Sequence, residues 1–492
     1  MGNEGYGHIL KYTGLFGGVQ GLGILLNLVR NKFVAVLLGP AGMGLVSIYT
    51  TAMSFFSQAT NLGLSFSAVR HLSEAFERGD SKAMERVVRV VRCWVVLTAL
   101  AGMLLFMLAS PLLSRVFSID DHTIHFVLLS PIVAMMALTG GETAILKSSR
   151  KLGSLAVVQL GSVVAALLVS VPLYWRFGMG GIVPVLLLVA LSTLLLTARR
   201  SLRLYPLQFG GARGLLGEGM GMVRLGVAFV LAGIMGSGAE VAIRSFLNMG
   251  GELDSVGLYN AGYVLTITYA GMVFSAMETD YFPRLSAVNR DTAAVNLMAN
   301  RQMEVSLLLV SPLLALLIVL LPVFVPLLFS GRFAPAVAMA QVAAFSMYFK
   351  AASLPVSYIT LAKGDSRAYF LLESVFDVSM VLLVIGGYHC FGLWGAGAAL
   401  SVAYLLDLLL VVGWASARYG FRLSPSVLRY MLAQYPLGMA VYVFAVFPWP
   451  PLVEWGGCVL AIVASGAVSL YVLMYKKTSL WDNLKRKFRG RG

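Results

Sequence analysis

Charge is scarce in this chain. Of its 492 residues only 12% are Asp, Glu, Lys or Arg, about half the share in a soluble globular protein, while 59% are hydrophobic and the mean hydropathy is +0.83. Acids are the scarcer sign, 22 against 37 Lys and Arg. No stretch as long as a soluble domain interrupts the apolar runs, so function must be carried by helices and their short loops. Cysteine is nearly missing: Cys93, Cys390 and Cys458 are isolated, show neither metal spacing nor a disulfide framework, and read as buried free thiols. The opening "MGNEGYGHILKYTG" lacks the basic segment and short cleavable apolar core of a secretory signal. No Ser/His/Asp set, phosphate loop or paired-carboxylate site stands out. "DDHTIH" at 120–125 offers metal-ligand residue types at no ligand spacing and reads as a solvated outer loop. No catalytic residue, metal or bound cofactor is expected.

What is present is apolar length. Runs of 20 or more hydrophobic residues, each able to cross a bilayer core of about 30 Å, recur from end to end. Fourteen candidate spans fall at 9–38, 42–69, 88–110, 124–146, 153–175, 179–198, 220–248, 255–283, 303–329, 335–361, 368–390, 392–416, 430–449 and 452–475. One set of alternate loops and the tail holds 30 of the 37 Lys and Arg, the other set holds three (Arg115, Arg176, Arg332), and four lie inside spans. By the positive-inside rule both termini are cytoplasmic. The net charge of +15 is then an orientation signal and a match for anionic lipid, and nucleic acid is not expected as a partner.

The chain also repeats itself at an offset of 213–216 residues. "GMGLVSIYTTAMSFF" matches "SVGLYNAGYVLTITY", "ASPLLSRVFS" resembles "FVPLLFSGRF", and "RFGMGGIV" matches "CFGLWGAG" with Phe177-Gly178 on Phe391-Gly392. Six spans per repeat, an even number, give both halves one topology, the parallel transporter repeat that handles substrate between halves. The expected fold is all-α: a six-helix bundle over 1–212, a second over 213–425, and an appended helix pair with a basic tail over 426–492.

Charges inside spans are costly and mark function by default. Arg30 and Lys32 lie in the first span, Arg244 in the seventh and Lys350 in the tenth; position 31 plus 213 is 244, so Arg244 is the near-equivalent of the Arg30/Lys32 pair. Helical spacing gathers polar stripes: Gln20, Asn27 and Arg30 in span 1; Gln58 and Asn61 in span 2; Glu240 and Arg244 in span 7; Tyr259 and Tyr263 in span 8; Ser346, Lys350, Ser353 and Ser357 in span 10. These stripes imply a wet, cationic cavity that suits an anionic cargo, Arg offering phosphate a planar fork. Other placements stay open: Arg30 and Lys32 can snorkel to the interface, and Glu240 and Arg244, four residues apart, can neutralise each other. Among the membrane acids Glu142, Glu240, Glu373, Asp377 and Asp407, ion coupling is expected at Glu240 and Asp377, through a proton or Na⁺ gradient.

"NKFVAVLLGPAGMGLVSIY", "DSVGLYNAGYVLTITYAGMVFSAMETDYFPRLSAVNRD" and "LLFSGRFAPAVAMAQVAAFSMYFKAASLPVSYITLAKGDSRAYFLLESVF" resemble Wzx-type flippases of the multidrug/oligosaccharidyl-lipid/polysaccharide superfamily. The resemblance covers residues 10–420. It implies two six-helix bundles forming a V around a central cavity. The implied activity is flipping an undecaprenyl-pyrophosphate-linked oligosaccharide, an O-antigen or common-antigen intermediate, across the bacterial inner membrane, without enzymatic chemistry. The family's span-10 Lys maps onto Lys350 and its first-helix cations onto Arg30/Lys32 and Arg244. The expected site therefore sets Arg30, Arg244 and Lys350 on pyrophosphate and Gln20, Asn27, Gln58, Asn61, Tyr259 and Tyr263 around the sugars. Membrane lipid and a polysaccharide polymerase are the expected partners. Many relatives have twelve spans, whereas fourteen resembles the lipid II flippases and leaves room for a lipid groove at spans 13–14. The rival readings are a lipid II-type or drug exporter of the same fold, and a membrane enzyme that modifies polyprenyl lipids.

Overall fold

A computed structural model describes residues 3–77, 81–119, 122–149, 151–207, 215–249 and 252–475; the side chains of residues 3–20, and a few others inside helices, lie outside the description. All regular structure among these residues is helical. The helices are α1 (Asn3–Thr60), α2 (Leu64–Glu77), α3 (Ser81–Val116), α4 (Thr123–Ser148), α5 (Leu152–Phe177), α6 (Ile182–Leu204), α7 (Leu215–Leu247) and α8 (Leu253–Tyr263). A π-helical turn over Val264–Tyr269 leads into α9 (Ala270–Ala287), followed by α10 (Thr292–Leu328), α11 (Ala336–Ala343), α12 (Phe345–Ala362), α13 (Ser366–Tyr419), α14 (Pro425–Val446) and α15 (Pro451–Tyr475).

Among the described residues, eight helical stretches are long and apolar enough to cross a membrane. Gly153–Leu204 and Ser366–Tyr419 each contain two of the predicted spans, and Gly21–Thr60 overlaps two more. The spans expected at 220–248, 255–283 and 430–449 are helical as well, in α7, in α8 to α9 and in α14, but are not among the eight. A straight helix of 54 residues would run about 80 Å, more than twice a bilayer core. Glycine resolves the excess. Gly39 (φ 67°, ψ −173°), Gly178 (φ 55°, ψ −131°) and Gly392 (φ 61°, ψ −146°) hold a region that side chains exclude. At Gly392 the chain folds back into a hairpin. Phe376 and Tyr404 would be about 42 Å apart on a straight helix, yet their ring centroids lie 5.0 Å apart.

Packing divides the chain into two compact units: residues up to Gly257 with Leu327–Arg332, and Leu258–Pro326 with Phe333 onward. α7, which the sequence repeat assigns to the second half, packs in the first unit against α1, α2 and α3. In that unit Leu64, Leu72, Val88, Trp94 and Ile145 form a closed core between α2, α3 and α4. Large apolar side chains such as Leu108, Leu168, Leu382 and Leu460 stay open to the surroundings, as a lipid-facing surface requires.

The internal repeat reappears in backbone geometry at one offset, 214. The Lys151 N–H reaches the Leu146 carbonyl and the Asp365 N–H reaches Thr360; the Ser149 N–H reaches Ile145 and the Lys363 N–H reaches Ile359. The residues preceding α5 and α13 share a conformation, Lys151 at φ −82°, ψ 58° and Asp365 at φ −85°, ψ 72°. Gly178 pairs with Gly392. A Cβ on Gly181 would strike the Leu173 carbonyl, and one on Gly395 would strike the carbonyl of Gly387.

Candidate functional site

In the first unit the cations fare differently. Arg244 is 5% exposed. Its Nε donates to Ser47 Oγ at 2.7 Å, and its Nη1 pairs with Glu240 Oε2 at 3.1 Å and approaches the Glu240 carbonyl at 3.4 Å. The mutual neutralisation that the i, i+4 spacing left open is thus formed. The Glu240 side chain keeps 38% of its surface open. Arg30 is half-buried, and its Nε has no hydrogen-bond partner. It lies within electrostatic reach of Tyr174 on α5, whose buried hydroxyl also has none. Lys32 is half-buried and engaged by a partner.

Of the residues expected around the sugars, Asn27 and Asn61 are half-buried and Gln58 is exposed, with its carboxamide against Gly233 of α7. The side chain of Gln20 lies outside the described residues. Glu142 is taken up structurally. Arg92 of α3 grips it with two parallel bonds, Nε–Oε1 2.8 Å and Nη2–Oε2 3.0 Å, and donates from Nη1 to the Tyr205 carbonyl at 2.8 Å, tying α3, α4 and the end of α6 together. Of the 120–125 segment, 120–121 lie outside the described residues; in the rest the His125 Nδ1 pairs with the Tyr49 hydroxyl at 2.8 Å and the His122 and His125 rings lie 4.8 Å apart, contacts a solvated loop would not make. No group of three or more His, Cys, Asp or Glu able to hold a metal occurs among the described residues.

The second unit builds a chamber. A cavity of about 200 Å³ between α12 and α13 is lined by Lys350, Ser353, Ser357, Tyr369, Glu373, Tyr404 and Asp407. Lys350 Nζ lies 5.8 Å from the ring centre of Tyr404 and 6.0 Å from that of Phe274, within the range of cation–π attraction. Its charge also reaches both carboxylates, Ser353 hydrogen-bonds Asp407, and Tyr369 hydrogen-bonds Glu373. Asp377 is buried one turn beyond Glu373, engaged by a partner and near enough for the two charges to interact. Tyr259 is buried and stacks on Tyr263 with centroids 5.9 Å apart, immediately before the π turn. π turns inside helices are frequent at functional sites.

Sequence reasoning proposed Lys350, Tyr259 and Tyr263 as substrate contacts, of which Lys350 lines the cavity. It named Glu373 and Asp407 as membrane acids without assigning either to the site, and it missed Tyr404. The signal lay in the repeat. At an offset of 214, Lys350, Glu373, Tyr404 and Asp407 stand opposite Met136, Gln159, Ala190 and Thr193, so these four differences between the copies fall on one cavity.

The fold of this all-helical chain is matched by solved transporters. The fold resembles "Lipid II flippase MurJ, inward closed conformation" (TM-score 0.70, 14% identity, 94% of this chain and 99% of that one). It also resembles the inward-facing conformation of a multidrug resistance MATE family transporter of the MOP superfamily (TM-score 0.69, 15% identity, 81% and 94%). A MOP superfamily transporter from Pyrococcus furiosus with a binding pocket of reversed polarity scores 0.57 at 13% identity, covering 82% and 93%. The class defined is a fold, that of MOP-superfamily transporters. Within it, the chain belongs to the polysaccharide biosynthesis protein family, whose sequence profile matches residues 33–338. No curated protein matches the chain.

Proposed function

We propose that the chain is a flippase of the Wzx type. It carries an undecaprenyl-pyrophosphate-linked oligosaccharide across the bacterial inner membrane by alternating access, with both termini in the cytoplasm. Membership of the polysaccharide biosynthesis family supports a glycan cargo. The observation that carries the reading is the chamber around Lys350. A primary ammonium is held inside an apolar bundle between two carboxylates, two aromatic faces and a ladder of serine hydroxyls. A cation kept within the membrane marks function by default, and an anionic head group is a cargo it can assist.

Arg30, Arg244 and Lys350 are the proposed contacts for pyrophosphate. Asn27, Gln58, Asn61, Tyr259 and Tyr263, with Gln20, are the proposed contacts for the sugars. Ion-driven reset is assigned to Glu240 and Asp377; Glu373 and Asp407, beside Lys350, are the acids the geometry adds. A cation-coupled drug exporter of the same fold would be expected to present acids to its cargo without a competing ammonium, so Lys350 counts against it. The polyprenyl lipid, the surrounding anionic bilayer and a polysaccharide polymerase are the proposed partners. The test is export of labelled glycan in cells carrying Arg30→Ala, Arg244→Ala or Lys350→Ala at normal protein levels. Unimpaired export by all three refutes the site.

A further inference from the structure

A second cavity, larger and uncharged at its centre, lies in the first unit between α4 and α6. Its volume is about 420 Å³, within the range that small-molecule sites occupy, and it is lined by Met136, Thr139, Thr143, Ala190 and Thr193, with Lys147 at one end. The 214-residue offset, fixed independently by the helix boundaries and the kink glycines, identifies what this cavity is. Thr139 falls on Ser353, Thr143 on Ser357, Met136 on Lys350, Ala190 on Tyr404 and Thr193 on Asp407. The two cavities are one site built twice. The hydroxyl ladder is kept, and the ammonium and the carboxylate are replaced by a thioether and a further hydroxyl.

The state of the threonines is informative. A Ser or Thr inside a helix commonly turns its hydroxyl back onto the carbonyl one turn earlier. Thr193 does so, donating to Val189 at 2.9 Å, which leaves its oxygen free to accept. Thr139 and Thr143 make no side-chain hydrogen bond among the described residues, although both are half-buried. Their hydroxyls are thus available as donors and acceptors along one side of the cavity, while Met135, Met136 and the threonine methyls give an apolar wall. Such a surface offers nothing to a cation and little to an anion away from Lys147. It suits a neutral ring that carries both hydroxyls and C–H faces.

We infer that the α4/α6 cavity is a subsite for an uncharged sugar ring of the glycan, distinct from the charged α12/α13 chamber that is its repeat counterpart. The inference rests on the flippase reading and adds a place for the neutral part of the cargo. The test uses full-length protein in lipid nanodiscs, titrated with undecaprenyl pyrophosphate either bare or carrying a defined neutral disaccharide. Wild type is expected to prefer the glycosylated lipid. Thr139→Val and Thr143→Val, which keep shape and remove the hydroxyl, are each expected to cut that preference about three- to tenfold. Thr143→Ser is expected to restore it, and Ala190→Trp, which fills the cavity, to erase it. A wild-type preference that survives both valine variants and the tryptophan variant overturns the subsite alone, as does a wild type without preference. A wild type that binds neither lipid overturns the flippase reading and the subsite with it.

Discussion

Arg244 and Lys350 are both intramembrane cations, yet their surroundings assign them different costs of removal. Arg244 is saturated by Ser47 and Glu240 in a nearly closed position. Truncating one partner of a buried ion pair costs about 3–5 kcal/mol when the other charge stays buried. Glu240 remains 38% exposed and can rehydrate, so Arg244→Ala is expected to destabilise by about 1–3 kcal/mol, read as a lowered thermal midpoint of the purified protein. Lys350 instead lines a cavity beside the half-buried Glu373 and Asp407, where its loss leaves room for water. Lys350→Ala is expected to lower glycan export about 10- to 100-fold, the worth of one hydrogen bond to a charged group, with a thermal midpoint close to wild type. Export near the wild-type level with a fallen midpoint would reverse the two roles. The i, i+4 spacing made the Glu240–Arg244 pair legible as one of two readings, but spacing alone could not show that Ser47, 197 residues away, would complete it.

At the scale of the element, the sequence repeat appeared as an offset between 213 and 216, whereas the structure settles on 214 from residue 145 onward. The slack arose because short matches of small and apolar residues slide by one position at little loss of similarity. Hydrogen bonds at helix ends and positive-φ glycines do not slide. Gly178 and Gly392 carry that register, and each has open space where a Cβ would go, so the penalty at either is purely conformational. Gly392→Ala is expected to cost about 1–3 kcal/mol, while Gly386→Ala, in helical conformation and also facing open space, is expected to be neutral or stabilising; thermal unfolding of the two variants side by side decides it. Helix type was legible from apolar length in every predicted span. The hairpin fold of α13 was foreshadowed by the division into spans 368–390 and 392–416 and by the FG pair at 391–392.

The start of α13 adds a pH-dependent contact. The Asp365 carboxylate accepts from the Ala368 N–H, the Arg418 Nε at 3.0 Å and the Tyr419 hydroxyl at 2.9 Å, closing the two ends of the hairpin. The backbone bond at Ala368 is the main reason its pKa lies below the ordinary 3.8, with Arg418 second. A depressed folded-state pKa means the contact contributes fully above the unfolded value and is lost as pH falls through the lower, folded one. Asp365→Asn is therefore expected to lower thermal stability modestly at pH 6, with the difference from wild type closing below about pH 4. A difference that persists unchanged to pH 3 would mean that the charge is immaterial and that the cap is held by geometry alone.

For the whole molecule, charge placement is the physical statement on which direction of transport depends. The predicted spans assign thirty cations to one set of loops and the tail and three to the other, and by the positive-inside rule such a bias predicts orientation. Arg176 stands beside the Gly178 kink and Arg367 beside the start of α13, at opposite ends of repeat-equivalent hairpins, and both are exposed. With Cys93, Cys390 and Cys458 replaced, a single cysteine at Arg176→Cys is expected to react with a membrane-impermeant thiol reagent in intact spheroplasts. Arg367→Cys is expected to react only after permeabilisation. Because either substitution removes just one of the 37 cations, it leaves the bias that orients the chain intact, so the labelling reports the native orientation. Reversed labelling would place the cationic loops outside. The proposed placement of both termini in the cytoplasm would then be overturned.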